Sequence, residues 1–373
     1  MYALFCGGGT VGHVEPAMAI AEILKRRVPS LEVRFVLRKD GKENVRVENS
    51  GYPIHYIEVN GFDRRIGLHQ FKTAGRMLRA VRTMKRMMED DPPALVVGTG
   101  GYVSLPVVYA ATCMNVPTVL HEANATPGLA VRLLSSRVDK ILFNLGTTEK
   151  ALRGHPYTAT VGMPVREDIS RQNREQARKR LGIRNGQQLI VSFGGSLGAE
   201  TVNRLCLRLM HEFSLGSASI HHIHGCGHRY YERAKEEYPM LCGRQGRCTA
   251  LPYLSNMPEL LCAADVVIAR SGAVTVAEIC AASAAAVLIP SPNVTGNHQY
   301  KNAKLLEQAG ACRLLEEKQL TYRQLEGTVR ELLTDTAARL HMRSLAHTFY
   351  DARTDEKIYN ELREFIFVNS AIN

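Results

Sequence analysis

A chain of 373 residues, 45% hydrophobic and 22% charged, has an ordinary globular composition but is too long for one hydrophobic core, so two domains are expected. Its nine cysteines are odd in number and scattered without a C-x-x-C pair, which argues against a disulfide framework and for reduced, buried thiols. The formal net charge of +11 is local: eight Lys or Arg and no acid fall between Arg64 and Arg86, as on a surface that meets something anionic.

Strand-like runs are predicted at 2–6, 32–37, 54–58, 94–97, 117–121, 140–143 and 158–161. Helical runs fall between them at 14–27, 40–50, 70–89, 103–114 and 127–134. This alternation predicts a parallel sheet covered on both faces. No basic n-region or small-residue cleavage site precedes the first strand, so no secretory leader is expected. The uncharged stretch from Pro92 to Leu120 is long enough to span a bilayer, but Pro106, Pro117 and Gly98-Thr99-Gly100-Gly101 divide it into strand, turn, helix and strand.

The first strand runs into Gly7-Gly8-Gly9-Thr10-Val11-Gly12-His13, a glycine turn opening a helix, where unpaired amides and the helix dipole favour a phosphate. Gly7-x-Gly9-x-x-Gly12 fits the dinucleotide pattern, yet the second strand ends in Leu37-Arg38-Lys39 rather than in an acid. Either the nucleotide binds elsewhere, or it is NADP with Arg38 on the extra phosphate. His13 is either a general base kept neutral at the positive end of a helix or a polar helix-start residue. The segment 70–89 is amphipathic, with Phe71, Ala74, Leu78, Val81 and Met88 on one side and Lys72, Arg76, Arg79, Arg82 and Arg86 on another. It reads as a helix lying on an anionic leaflet, with an ordinary solvated face as the alternative; no aromatic series accompanies the charge, so nucleic acid is not expected. Gly98 to Ser104 and His121-Glu122-Ala123-Asn124 follow strands at the carboxyl edge where such sheets bind ligands, and their polar residues read as site more than scaffold.

After a linker at Gly162-Met163-Pro164-Val165-Arg166 the cycle restarts, with strands at 188–193, 219–224, 247–251, 265–268, 285–289 and 311–314. Gly194-Gly195-Ser196-Leu197-Gly198-Ala199 repeats the strand, turn and helix arrangement of the first loop. Arg270-Ser271-Gly272-Ala273-Val274-Thr275-Val276-Ala277-Glu278 offers a cation for a phosphate and a carboxylate for ribose hydroxyls, or else a capping ion pair. His298 and Gln299 are of the kind that reads sugar hydroxyls. The run His221 to His228 suggests a metal, but no second ligand cluster has zinc spacing, so none is expected. The last thirty residues look helical, and so apolar an end must pack on something, the first domain being the candidate.

Taken in order, these motifs resemble the MurG family, the N-acetylglucosaminyltransferases that complete the lipid-linked precursor of bacterial peptidoglycan. The resemblance rests on residues 7–13, 100–104, 121–130, 164–166, 194–199, 270–278 and 297–303. It implies an α/β chain of GT-B type: two Rossmann-like domains with parallel sheets facing across a cleft. The N-terminal domain would span 1–163 and the C-terminal one 164–349, with a helix at about 350–373 returning to the first. It further implies inverting, metal-independent and cofactor-free transfer of GlcNAc from UDP-GlcNAc to the C4 hydroxyl of undecaprenyl-diphospho-MurNAc-pentapeptide, lipid I. His13 would be the base. Thr10, Val11, Gly12, Asn124, Arg166, Ser196, Leu254, Arg270, Ala273, Val274, Thr275, Glu278, His298 and Gln299 would meet the donor. Gly9, Gly100, Gly101 and Tyr102 would form the loops for the acceptor diphosphate.

The implied setting is peripheral, on the cytoplasmic face of the bacterial membrane, with an anionic lipid surface and other cell-wall synthesis proteins as partners. Val11, Ala123 and Met163 depart from the family's usual glycine, glutamine and asparagine, without removing a catalytic group. The rivals are an NADP-dependent oxidoreductase, a UDP-sugar transferase with a soluble acceptor, a UDP-GlcNAc 2-epimerase and a catalytically dead membrane scaffold.

Overall fold

The computed structural model describes residues 1–61, 69–149, 152, 155, 157–195, 197–242 and 246–367. Two compact units divide the chain: one is Met1–Pro164 with the segment from Ala352 onward, the other Val165–Asp351.

In the first unit seven strands, β1 (Tyr2–Cys6), β2 (Glu32–Arg38), β3 (Ile54–Ile57), β4 (Leu95–Gly98), β5 (Thr118–Glu122), β6 (Lys140–Phe143) and β7 (Thr158–Thr160), pair in the order β3-β2-β1-β4-β5-β6-β7. Every pairing is parallel. The central strands β1, β4 and β5 are buried throughout, which is why β1 and β4 read as apolar runs instead of alternating ones, while β5 buries Thr118, His121 and Glu122 as well. On one face, Val14, Ile20 and Leu24 of the helix Val11–Arg27 share a core with Ile358, Leu362 and Ile366 of the helix Thr354–Phe367. The C-terminal helix therefore covers the first sheet. It is separate from the helix Thr336–His347 that precedes it, so the last thirty residues are not one helix.

On the opposite face, Ala80, Met84 and Met88 of the helix His69–Asp90 join Val103 and Val107 of the helix Gly101–Cys113 and Val131 and Leu134 of the helix Leu129–Leu134. The buried stripe of His69–Asp90 is thus rotated from the one expected: Ala74 and Leu78 face solvent. Phe71 and Lys72 carry side chains outside the described ones. No described helix is long and apolar enough to cross a membrane.

The second unit repeats the design with six parallel strands, β8 (Gln188–Phe193), β9 (Ile220–Gly225), β10 (Cys248–Leu251), β11 (Val266–Ala269), β12 (Ala286–Leu288) and β13 (Arg313–Leu314). Their order is β10-β9-β8-β11-β12-β13. In both sheets the chain reverses its direction of winding beside the first strand, between β1 and β4 and between β8 and β11. Ligands of such sheets bind at the carboxyl edge of this reversal. Both glycine loops leave from it.

Candidate active site

At the first reversal Cys6 pairs with Gly98, so the loops that follow leave the sheet side by side. They interlock through missing side chains. A Cβ on Gly101 would stand 1.9 Å from the Gly8 carbonyl, and one on Gly8 would stand 2.5 Å from a methyl of Val103. Gly100 and Gly101 have φ of +99° and +76°, a region that L side chains rarely adopt. Thr99 Oγ1 donates to the His13 carbonyl at 2.6 Å, and Ser104 Oγ accepts from the Gly100 amide at 3.1 Å.

This packing seats the His13 imidazole. Its Cδ2 lies where a Cβ on Gly100 would come within 3.0 Å, and its Nδ1 is as close to the corresponding position on Gly101. Thr10, the N-cap of Val11–Arg27, does not cap the helix; its Oγ1 lies 3.0 Å from His13 Nδ1. In the tautomer whose Nδ1–H donates to that hydroxyl, Nε2 carries the lone pair. Val11, Gly12 and His13 are half-buried and Thr10 is exposed.

At the end of β5 the residues of His121-Glu122-Ala123-Asn124 separate by role. His121 is fully buried and its Nε2–H donates to the Gly162 carbonyl at 3.1 Å. Burial lowers its pKa to about 4, so this ring is neutral scaffold. Glu122, also buried, accepts from the amides of Asn124 and Gly128 at 2.9 and 2.7 Å and from the Asn124 side chain at 3.0 Å. Burial pushes its carboxyl up, against the pull of these donors. Both residues had read as site; the structure makes them the brace, and Asn124 the half-buried residue they present.

In the second unit Ala269 pairs with both Phe193 and Leu288, which brings the loops after β8, β11 and β12 together. Gly198, at φ +74°, rests its backbone on the Cys226 carbonyl: a Cβ there would lie 2.1 Å away. Ser196 lies outside the described residues. Gly272 is the N-cap of Ala273–Ala281 and has no side chain to satisfy the first amides, which fall on Ala273, Val274 and Thr275. By contrast Asn173, Thr321 and Asp335 cap their helices with side-chain oxygens.

Arg270 is held by an ion pair with Glu317, and its Nη1 donates to the Ile289 carbonyl at 3.0 Å. Its partner is thus not the helix's own carboxylate. Glu278 instead faces Arg166, Nε to Oε1 at 3.4 Å. Nothing in the motif 270–278 announced Glu317, which arrives from a distant turn. Ser271 Oγ donates to the Gln299 carbonyl at 2.9 Å, while Gln299 Oε1 accepts from the Ser291 amide at 2.9 Å. His298 Nδ1–H donates to the Thr295 carbonyl at 2.9 Å, which leaves Nε2 as an acceptor, and burial lowers its pKa. Leu254 is buried against Gly225, at the start of the same edge.

The strand histidines form a closed chain of hydrogen bonds. Asn203 Nδ2 donates to the Cys226 carbonyl at 2.7 Å, which turns its Oδ1 to His224 Nε2 at 3.2 Å. His224 Nδ1 must then accept from Ser192 Oγ at 2.7 Å, Ser192 Oγ from His222 Nε2 at 2.8 Å, and His222 Nδ1 from Ser214 Oγ at 3.1 Å. All five groups are buried, and burial holds both rings neutral, His224 with a pKa lowered to about 4. Within the run His221 to His228 these two rings thus belong to a polar core, and no described group of His, Cys, Asp or Glu has the geometry to hold a metal.

Comparison with known proteins agrees with this layout. Residues 3–143 match the glycosyltransferase family 28 N-terminal domain and residues 189–355 its C-terminal domain. The UDP-N-acetylglucosamine–N-acetylmuramyl-(pentapeptide) pyrophosphoryl-undecaprenol N-acetylglucosamine transferase of Carboxydothermus hydrogenoformans is 38% identical over 335 residues, 89% of each chain. The enzyme of the same name from Acetivibrio thermocellus is 34% identical over 368 residues, 98% of each. Among solved structures, Acinetobacter baumannii MurG superposes with a TM-score of 0.75 at 25% identity, covering 97% of this chain and 99% of that one. A UDP-GlcNAc 2-epimerase from Neisseria meningitidis, bound to UDP-GlcNAc, reaches 0.64 at 10% identity over 98% of this chain and all of that one, a likeness of fold alone.

Proposed function

The chain belongs to the MurG family within glycosyltransferase family 28, and from that premise we propose that it transfers GlcNAc from UDP-GlcNAc to the C4 hydroxyl of lipid I, undecaprenyl-diphospho-MurNAc-pentapeptide. One observation supports this reading above others. Two sheets that share the order of their first six strands each end in helix N-termini without side-chain caps. At the reversal of winding the first unit presents the half-buried imidazole of His13, whereas the loops after β8 and β11 carry no histidine and the second unit's half-buried His298 follows β12 instead.

The donor meets the second unit. Its diphosphate takes the amides after Gly194 and Gly272, its uracil the backbone at Leu254, its ribose Glu278 beside Arg166, and its GlcNAc hydroxyls His298 and Gln299. As UDP leaves, charge grows on its β-phosphate, and these dipoles together with Arg270 stabilise it. Arg270 acts from its seat on Glu317, so its charge is oriented but already shared. The acceptor diphosphate meets the loops at Gly9 and at Gly100-Gly101-Tyr102. His13 Nε2 takes the proton of the C4 hydroxyl while Nδ1–H stays on Thr10, and attack from the face opposite UDP inverts the anomeric centre in a single displacement. No step calls for a metal ion.

Membrane contact belongs to the face carrying the three helices described above. Arg76, Arg79, Arg82 and Arg86 are exposed there with Leu78, and so are Leu129, Arg132 and Leu133 and the Tyr109–Arg137 pair. Apolar side chains ringed by cations suit an anionic leaflet. Radiolabelled transfer from UDP-GlcNAc to a short-chain lipid I analogue, with EDTA present and the product's anomeric configuration read by NMR, tests the whole reading. A β-linked disaccharide is expected. A requirement for divalent metal, retention of configuration, or conversion of free UDP-GlcNAc to its 2-epimer would each overturn it.

A further inference from the structure

Arg38, at the end of β2, and the turn that follows it have no part in the chemistry above, yet they reach the first glycine loop. The Gly9 amide, one of the donors an acceptor diphosphate needs, donates to Glu43 Oε1 at 2.9 Å. The other oxygen of that carboxylate lies 3.6 Å from Arg38 Nη2. Glu43 is nearly buried, with its side chain 8% exposed. Arg38 is incompletely satisfied: its Nε is shielded from solvent without a hydrogen-bond partner among the described residues. Tyr102 closes the other side, its ring packed where a Cβ on Gly9 would come within 2.4 Å. Glu43 rides on a single 3-10 turn, Lys42–Asn44, tied to β2 through Asn44 Nδ2 donating to the Arg38 carbonyl at 2.8 Å.

An anion thus already sits on the loop that the proposed function reserves for phosphate, and a cation waits behind it. A diphosphate reaching Gly9 with Glu43 in place would meet a like charge within contact distance. We propose that the Glu43 carboxylate is a resident anion on the first glycine loop, displaced by the acceptor's diphosphate, and that its departure releases the Arg38 guanidinium to that diphosphate. The inference rests on the reading of the first unit as the acceptor side. It makes Glu43 a determinant of acceptor affinity and selectivity: a weakly charged group does not dislodge it, a diphosphate does.

Inorganic pyrophosphate is the probe, titrated calorimetrically into the full chain with saturating UDP to fill the other unit. E43Q keeps an oxygen for the Gly9 amide and loses the charge, so pyrophosphate should bind on the order of tenfold more tightly. R38M should weaken it by a similar factor, with R38K restoring part, and the KM for UDP-GlcNAc should not move in any of them. Unchanged or weaker binding by E43Q, or an indifferent R38M, would show that the carboxylate only braces the turn. Because R38M leaves the Gly9–Glu43 bond in place, it reads the cation even if E43Q melts early. The transfer assay runs alongside and fails separately: a wild type that moves no GlcNAc to the lipid acceptor, while E43Q still gains pyrophosphate affinity, overturns the proposed function and leaves the displaced carboxylate standing.

Discussion

The carboxyl edges of the two sheets are built alike and furnished differently. In the first unit the glycine backbone closes around an imidazole that reaches the surface, His13; in the second, the corresponding loop rests on a carbonyl, and the imidazoles beneath it, His222 and His224, are sealed into the core. Strand order and positive-φ glycines decide where an anion can be met. Which titratable group emerges beside that place decides whether a proton can be moved there. At the reversal of winding the first unit places an imidazole, the proposed base, while in the second unit the half-buried His298 stands apart, after β12.

The largest break in this comparison comes from removing that base. His13→Ala should cut kcat by roughly 10²- to 10⁴-fold, the usual range for a positioned general base. UDP-GlcNAc affinity, measured by calorimetry, should stay within about twofold. A loss shared equally between turnover and donor affinity would move His13 to the donor side and remove the asymmetry.

A matched pair of glycine substitutions is expected to act next in size. Gly101→Ala and Gly198→Ala each force a side chain on a carbonyl, 1.9 and 2.1 Å away, at φ of +76° and +74°. Each should lower stability by about 1–3 kcal/mol from backbone strain, seen as a lower melting temperature. Their kinetic signatures should part: the first depresses kcat by moving His13, the second raises the KM for UDP-GlcNAc by lifting the loop from Cys226. The same signature from both would mean that the loops share one task.

Much of this was legible in the sequence, for physical reasons. Fully buried parallel strands have no solvent face to alternate with, so β1 and β4 stand out as apolar runs and β8 through its stretch Leu189–Val191, and glycine is what a loop needs where backbones meet. Other features depended on partners far along the chain. His69–Asp90 is amphipathic, but Met77, Met84 and Met87 widen its apolar side, so its periodicity did not fix the direction of the buried stripe, in which Thr73, Ala80 and Met84 go inward and Leu78 outward. Glu317, on Arg270, comes from a separate turn. His222 and His224 visibly share a strand face, but only Ser192 on the neighbouring strand, in register with His224, makes that face a core.

Acid should sharpen the contrast between buried and exposed imidazoles. His121 titrates near 4 when folded, against about 6.5 in an unfolded chain. The unfolded state therefore binds the extra proton first, so stability is fully present above about 6.5 and is lost as pH falls toward 4. His121→Gln keeps the donor to the Gly162 carbonyl and removes the proton site. In that window the slope of unfolding free energy with pH, from urea titrations, should flatten by up to about 1.4 kcal/mol per pH unit. An unchanged slope would mean that the ring is protonated in the native state.

The smallest expected effect compares charges on the two units. Arg233, in the second, spends its guanidinium on Glu200 and Glu237. Arg79, in the first, lies on a helix whose sequence holds no carboxylate before Glu89. A charge already matched by its own neighbours has little to gain from a lipid phosphate; an excess charge on an exposed face gains roughly 1 kcal/mol near an anionic surface. Arg79→Gln should therefore lower cosedimentation with phosphatidylglycerol vesicles by about fivefold in partition coefficient, an effect erased by salt, while Arg233→Gln leaves it unchanged. Equal losses would make the attraction a property of net charge and would take the membrane away from the three-helix face.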